Sequence, residues 1–116
     1  MNNYKELKIW EKGMRLVELV YSLTNQLPED ERFGLTSQIK RCSISIPSNI
    51  AEGAGRNSKK EFIHFLSITN GSTAELETQL LLILRLKFIS EIEINRILEL
   101  CSEIKRMNYS FQKSLI

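Results

Sequence analysis

Histidine is nearly absent from this sequence, since His64 is the only one in 116 residues. Most catalytic schemes that activate a serine or a cysteine need a histidine as the neighbouring base. Glu61 and His64 have the Glu-x-x-His spacing of di-iron helical bundles, but that site takes such a motif from each of two helices. The sequence also contains neither a Gly-x-x-x-x-Gly-Lys loop nor a Gly-x-Gly-x-x-Gly turn. We therefore expect no catalytic residues, no metal site and no cofactor.

Proline, glycine and long apolar runs are also scarce. Two prolines and five glycines disfavour a disordered or an all-β chain. The longest apolar run, residues 80–84, is far shorter than a membrane span, and the first residues lack the apolar core of a signal peptide. We expect a cytoplasmic protein without membrane association, folded as one domain over residues 1–116. Cys42 and Cys101 fall on apolar helical positions, which predicts buried free thiols rather than a disulfide or a metal pair.

Apolar residues recur at three- and four-residue spacing through four segments, at about 4–26, 35–54, 58–87 and from 90 onward. This period predicts four helices. A capping-box pattern, in which a glutamate follows three residues after a serine, occurs at Ser58 and at Ser90. The third helix carries a heptad stripe of Phe62, Leu66, Thr69, Thr73, Leu76, Leu80 and Ile83. Because the loops are short, neighbouring helices should be antiparallel, and we expect an all-α, up-down four-helix bundle.

Pro47 lies inside the second predicted helix, where it removes a backbone hydrogen bond and clashes with the preceding turn. We expect a kink there. Polar residues surround this point and also occupy the middle of the third helix, which predicts a polar layer between the two helices near mid-bundle. Such a layer is either a hydrogen-bond network that fixes helix register or a binding or catalytic pocket. The layer and the sequence signature around it comprise Gln38, Arg41, Ser43, Ser45, Pro47, Asn49, Glu52, Gly53, Glu61, Ser72 and Glu75.

Four stretches carry a family resemblance: F-G-L-T-S-Q-I-K-R at 33–41, S-I-P-S-N-I-A-E-G at 45–53, K-E-F-I-H-F-L at 60–66 and G-S-T-A-E-L-E-T-Q-L at 71–80. Together they resemble the bacterial "four helix bundle protein" family, which takes in proteins encoded by intervening sequences of large-subunit ribosomal RNA genes. The resemblance implies a left-handed bundle, a ring-shaped homopentamer and no catalytic residues. A relative, the accessory variability determinant of diversity-generating retroelements, is similar to a basic adaptor that binds nucleic acid and a reverse transcriptase.

Positive charge concentrates at one end of the predicted bundle, although the whole chain carries a net charge of only +2. That end gathers the start of the first helix, the turn between the second and third, and the end of the fourth. Its ten basic residues outnumber five acidic ones. This surface is either simply solvated or binds phosphate groups, with an affinity that falls as salt rises. The candidate nucleic-acid contacts are Lys5, Lys8, Lys12, Arg15, Arg56, Lys59, Lys60, Lys105, Arg106 and Lys113.

The apolar arc of the first helix spans about 180°, whereas a bundle helix needs little more than about 100° to face its own core. If the part of this arc that does not face the core stayed exposed, it would form a larger apolar patch than soluble monomers tolerate. We therefore expect self-association. With the family resemblance, this indicates a homopentamer. We expect a non-enzymatic interaction or adaptor protein that binds RNA or DNA through its basic end. The alternative is a purely structural homo-oligomer that acts through a protein partner with no nucleic-acid role. An enzyme that uses the polar layer is a third hypothesis.

Overall fold

The computed structural model describes residues 3–116, and in this range it contains four α-helices and no β-strand. The helices are α1 (Lys8–Thr24), α2 (Leu35–Ala54), α3 (Lys59–Arg85) and α4 (Glu91–Ser114). Short 3₁₀ turns at Tyr4–Glu6 and Glu29–Glu31 precede α1 and α2. The expected all-α fold is confirmed. Of the helices described, none has the length and the apolar character that spanning a bilayer requires.

Each helix packs against its neighbours in chain order, and α4 closes the bundle against α1. Within residues 3–116 the backbones of the diagonal pairs, α1 with α3 and α2 with α4, do not approach each other closely. Close approaches join early positions of one helix to late positions of its neighbour: Gly13 to Pro47, Gly53 to Phe62, Leu66 to Asn108, and Lys12 to Glu103. The chain therefore forms the expected antiparallel up-down bundle, which measures 43 × 23 × 20 Å. Its left-handed sense and the kink at Pro47 stay predictions.

The predicted heptad stripe of α3 forms one wall of the core, and each of its members from Phe62 to Ile83 is buried. Phe62 packs edge-on against Phe111 of α4, with ring centroids 5.2 Å apart. Burying a large aliphatic or aromatic side chain stabilises the fold by roughly 1.5–3 kcal/mol. This stripe and the apolar faces of the other three helices therefore supply most of the packing that holds the bundle together.

The two predicted capping boxes differ in the structure. At the start of α3, Ser58 Oγ accepts a hydrogen bond from the Glu61 backbone N–H at 3.1 Å, as a capping serine should. At the start of α4, the Ser90 side chain caps no backbone amide. Its hydroxyl donates instead to the Glu93 carboxylate at 3.2 Å. The Ser58 hydroxyl donates to the Glu61 carboxylate in the same way, at 3.2 Å. What α4 lacks is the bond from a backbone N–H to the serine oxygen, so the capping box predicted at Ser90 is wrong.

The helices α2 and α3 approach each other closely at Gly53. A Cβ atom at this position would lie 2.7 Å from Phe65 Cβ and 2.9 Å from Phe62 Cδ1, so one of the two helices would have to shift. Gly71 of α3 is the opposite case, because it is exposed and no atom lies within 4 Å of the place that a Cβ would take. Of these two glycines, packing requires only Gly53.

We predict that Gly53→Ala lowers the free energy of unfolding by about 1–3 kcal/mol, because the added methyl overpacks the α2–α3 contact. Gly71→Ala should raise it by up to about 1 kcal/mol, because alanine is the better helix former and meets no obstacle there. Urea denaturation followed by circular dichroism measures both values. Equal effects of the two substitutions would contradict the close packing at Gly53.

Candidate nucleic-acid interface

The antiparallel arrangement brings the start of α1, the α2–α3 connection and the end of α4 to one end of the bundle. Six of the ten predicted contact residues lie at or near the helix ends there: Lys5, Lys8, Arg56, Lys59, Lys60 and Lys113. The other four, Lys12, Arg15, Lys105 and Arg106, lie about 6–14 Å further along α1 and α4, at 1.5 Å of rise per residue. The predicted basic surface is therefore divided between one end and two flanks.

Ion pairs within the chain involve four of these ten residues. The nitrogen-to-oxygen distances are 3.3 Å for Lys12–Glu103, 3.7 Å for Arg15–Glu18, 2.9 Å for Lys105–Glu77, and 3.0 and 3.7 Å for Arg56 with Glu52 and Glu61. The other six are exposed and make no ion pair with the described part of the chain. Five of those six are lysines at the bundle end, which we call the lysine cluster: Lys5, Lys8, Lys59, Lys60 and Lys113.

Arg56 pairs with two glutamates at the basic end, so these glutamates are not partners of the neighbouring lysines. It binds the carboxylates of both Glu52 and Glu61. Lys59 and Lys60 occupy the first turn of α3, where the unpaired N–H groups of the helix add partial positive charge. With Arg56, the lysine cluster gives this end six basic side chains against the four glutamates Glu6, Glu11, Glu52 and Glu61, so its side chains carry a small excess of positive charge.

Aromatic residues also lie beside the lysine cluster. The rings of Tyr4 and Trp10 pack edge-on with centroids 5.4 Å apart. Sequence reasoning missed Tyr109, whose side chain is 63% exposed near the end of α4. Lys113 places its Nζ 4.6 Å from the centre of the Tyr109 ring. The four-residue spacing of these two on a polar helix face is the signal that could have revealed them.

A groove of about 650 Å³ runs between α3 and α4 next to this end, and we call it the α3–α4 groove. Its floor contains Asn108, which is almost fully buried and donates to the Leu66 carbonyl at 2.8 Å. Gln112 Nε2 donates in turn to Asn108 Oδ1 at 2.7 Å. The groove is lined by Ser67, Asn70, Ala74, Lys105, Asn108, Tyr109, Gln112, Lys113 and Ile116. It combines basic, amide and aromatic side chains on a fixed floor.

Most of the predicted polar layer lies on the surface and not inside the bundle. Six of its members line an open groove of about 560 Å³ between α2 and α3, the α2–α3 groove: Gln38, Arg41, Ser45, Asn49, Ser72 and Glu75. Ser43 is buried, but its hydroxyl donates to the Lys40 carbonyl of its own helix at 2.8 Å. The Ser43 hydroxyl is thus satisfied on the preceding turn of its own helix and needs no partner across the interface. Whether the layer fixes the helix register or forms a binding pocket stays a prediction.

The remaining signature residues have other roles. Glu52 and Glu61 pair with Arg56 at the basic end. Gly53 and Pro47 are buried at helix contacts, and an added Cβ on Gly13 of α1 would lie 3.3 Å from Pro47 Cβ. The signature is thus partly a packing pattern and partly the lining of a surface groove.

The α2–α3 groove contains one unsatisfied acceptor. Cys42 bridges the two helices, donating its thiol to the Ser72 carbonyl at 3.1 Å and to Glu75 Oε1 at 3.3 Å. Gln79 also lines the groove and is only 9% exposed. Its Oε1 is the one buried side-chain nitrogen or oxygen in residues 3–116 that has no hydrogen-bond partner.

Neither cysteine is a thiolate at neutral pH. Burial and the hydrogen bond to Glu75 raise the pKa of the Cys42 thiol to about 12. Burial and the nearby Glu77 carboxylate raise the pKa of the Cys101 thiol to about 12. Both are free and buried, as the sequence predicted. His64 is exposed beside Phe65, with ring centroids 5.4 Å apart. Over residues 3–116, no three His, Cys, Asp or Glu side chains are grouped so as to hold a metal ion.

The fold and the features described above are those of an all-α four-helix-bundle protein with a basic end. The chain belongs to the 23S rRNA-intervening sequence protein family, whose model matches residues 5–110. It is similar to a solved structure from Bacteroides thetaiotaomicron, a protein of unknown function from the S23 ribosomal protein family, with a TM-score of 0.84 and 27% identity. The alignment covers 90% of this chain and 98% of that one. A search of the curated proteins found no match.

The raised thiol pKa values predict how stability depends on alkaline pH. Between about pH 9 and about pH 12 the unfolded chain loses cysteine protons that the folded chain keeps, so the free energy of unfolding falls as pH rises through this window. Below it the cysteine contribution is constant. We expect the stability difference between wild type and Cys42→Ala/Cys101→Ala, measured by urea denaturation, to shrink between about pH 8 and about pH 10.5. The subtraction cancels lysine and tyrosine titration, and a difference independent of pH would contradict the prediction.

Proposed function

We propose that this protein is a non-enzymatic, cytoplasmic adaptor that assembles as a homopentameric ring and binds RNA or DNA through its basic end. The observation that carries the proposal is the lysine cluster. Its five ammonium groups are exposed, lie at one end of the bundle and have no acidic partner in the described chain. The family resemblance to a nucleic-acid-binding adaptor agrees with this surface.

The physical basis of such binding is phosphate neutralisation. Each lysine that contacts a phosphate releases a condensed counterion, so the affinity depends steeply on salt and little on sequence. One copy of the lysine cluster is a modest site. A ring multiplies it by the number of subunits, and several weak contacts to one strand then act together with a high effective concentration.

Charge reversal at the start of α3 tests the proposal. We predict that Lys59→Glu/Lys60→Glu weakens binding of a labelled oligonucleotide at low salt by at least about tenfold and flattens the slope of log affinity against log salt. The fold should persist, because glutamates are favourable in the first turn of a helix. Fluorescence anisotropy across a salt series measures both quantities.

The matched control is Arg32→Glu/Arg85→Glu, which changes the net charge by the same amount at the opposite end of the bundle. Both residues are exposed. Equal loss of binding in the two variants would show a general charge effect and would contradict a site at the lysine cluster. Absence of binding by the wild-type oligomer at low salt would overturn the proposed function itself.

The second candidate function is a structural homo-oligomer that acts through a protein partner. The observation that favours it is the outer face of α2 and its two flanking grooves. Met14 and Ile44 are each 41% exposed and line the groove between α1 and α2, while Ile68, 38% exposed, lines the α2–α3 groove. Contact with a second copy of the chain would cover these half-exposed apolar side chains.

An isoleucine-to-lysine pair tests where the assembly forms. We predict that Ile44→Lys lowers the mass measured by light scattering, because the ammonium group cannot be buried at an apolar contact without a partner. Ile92→Lys is the control, since Ile92 lies on α4 and is already 84% exposed. Its mass should equal that of wild type. An unchanged mass for Ile44→Lys would place the assembly surface elsewhere on the bundle.

A further inference from the structure

Tyr109 is an exposed aromatic ring at a position where core packing does not explain it. Its side chain is 63% exposed, more than that of Tyr21, the other large exposed tyrosine, at 40%. Lys113 lies one helical turn away with its Nζ 4.6 Å from the ring centre. An exposed aromatic ring with a cation over one face can stack a nucleic-acid base on its other face while the cation neutralises a phosphate nearby.

The α3–α4 groove beside this ring has the hydrogen-bonding groups that a base edge requires. Ser67 and Asn70 lie exposed on the α3 wall. Gln112, whose Nε2 is held by Asn108 at 2.7 Å, keeps its amide oxygen fixed on the α4 side. The groove volume of about 650 Å³ falls within the range of small-molecule sites. Lys105 contributes less charge, because Glu77 binds its Nζ at 2.9 Å.

The groove is also continuous with the lysine cluster. Lys113 belongs to both, since it lines the groove and lies at the basic end of α4. A strand whose phosphates follow the cluster therefore reaches the groove at Lys113, with the Tyr109 ring one turn further along the helix.

We infer that the α3–α4 groove binds an unpaired nucleotide of a single-stranded nucleic acid, with its base stacked on Tyr109 and its phosphate at Lys113. This inference rests on the proposed function, because it assumes that the lysine cluster guides the strand. Bases inside a duplex have both faces covered by their neighbours, so only an unpaired base can use the Tyr109 ring. The protein therefore prefers single strands to duplexes, and Tyr109 is the residue that sets the preference.

The test compares a labelled single strand of about 12 nucleotides with a duplex of the same sequence, by anisotropy at low salt. Tyr109→Ala lowers the single-strand affinity about tenfold, as loss of one stacking contact should, and leaves the duplex affinity within about twofold. Tyr109→Phe keeps the ring and retains single-strand binding. The matched control is Tyr21→Ala, which removes a partly exposed tyrosine that also has a lysine over its ring, Lys40 at 4.8 Å, but lies away from the basic end.

The outcomes distinguish failure of this inference from failure of the proposed function on which it rests. If wild type binds neither strand nor duplex, the nucleic-acid function fails and the groove assignment fails with it. Suppose that wild type binds, and that Tyr109→Ala either behaves like wild type or lowers the single-strand and duplex affinities equally. The nucleic-acid interface at the lysine cluster is then retained, and the groove assignment is overturned. Loss of single-strand binding in Tyr109→Phe would likewise overturn stacking, because the phenyl ring keeps the aromatic face.

Discussion

The close packing of α2 against α3 is the constraint on which the other features of this molecule depend. It requires a glycine at position 53, where a Cβ would lie 2.7 Å from Phe65 Cβ. It also fixes the register in which the Cys42 thiol meets the Ser72 carbonyl across the helices. The short connection between α2 and α3 then places Lys59 and Lys60 at the same end as the start of α1 and the end of α4. This up-down connectivity is what creates the common basic end.

Two kinds of surface follow from this packing. The outer face of α2 presents half-exposed apolar side chains and a polar groove with an unsatisfied oxygen at Gln79. The basic end presents unpaired lysines and leads into the α3–α4 groove. None of the five lysines lines either groove beside α2, so the proposed assembly through α2 leaves the lysine cluster free to bind a strand. Assembly and binding are then linked only through the number of lysine clusters that the oligomer brings together.

The sequence predicted the features that depend on periodicity, and the structure supplied those that depend on side-chain partners. The four helices, the buried stripe of α3 and the buried cysteines all follow from three- and four-residue spacing. The hydrogen-bond partners of the polar side chains did not, because the Ser43 hydroxyl is satisfied by the Lys40 carbonyl of its own turn. Which lysines remain unpaired was also beyond the sequence, since the pairing of Lys105 with Glu77 depends on the register between α3 and α4.

The exposed ring of Tyr109 is a second feature that the sequence only partly predicted. Its spacing from Lys113 is visible in the sequence, but the exposure of its ring depends on how α4 is rotated about its own axis in the bundle. A rotation of roughly 100°, the angle between successive helical residues, would have directed a different side chain to that groove. The apolar face of α4, where Ile97, Cys101 and Ile104 are buried, sets this rotation. The groove beside the Tyr109 ring forms only where α3 packs alongside α4, which no pattern on α4 alone reveals.

Hydrogen–deuterium exchange of the intact oligomer, with and without a single-stranded oligonucleotide at low salt, is the measurement that tests whether the lysine cluster is a nucleic-acid interface. If it is, we expect slower exchange on binding in segments 3–8, 55–70 and 105–116, which form the basic end and the α3–α4 groove. Segments 29–40 and 85–95, at the opposite end, should exchange at unchanged rates and serve as the internal control. Protection of the opposite end, or no protection anywhere despite measured binding, would contradict a nucleic-acid interface at the lysine cluster.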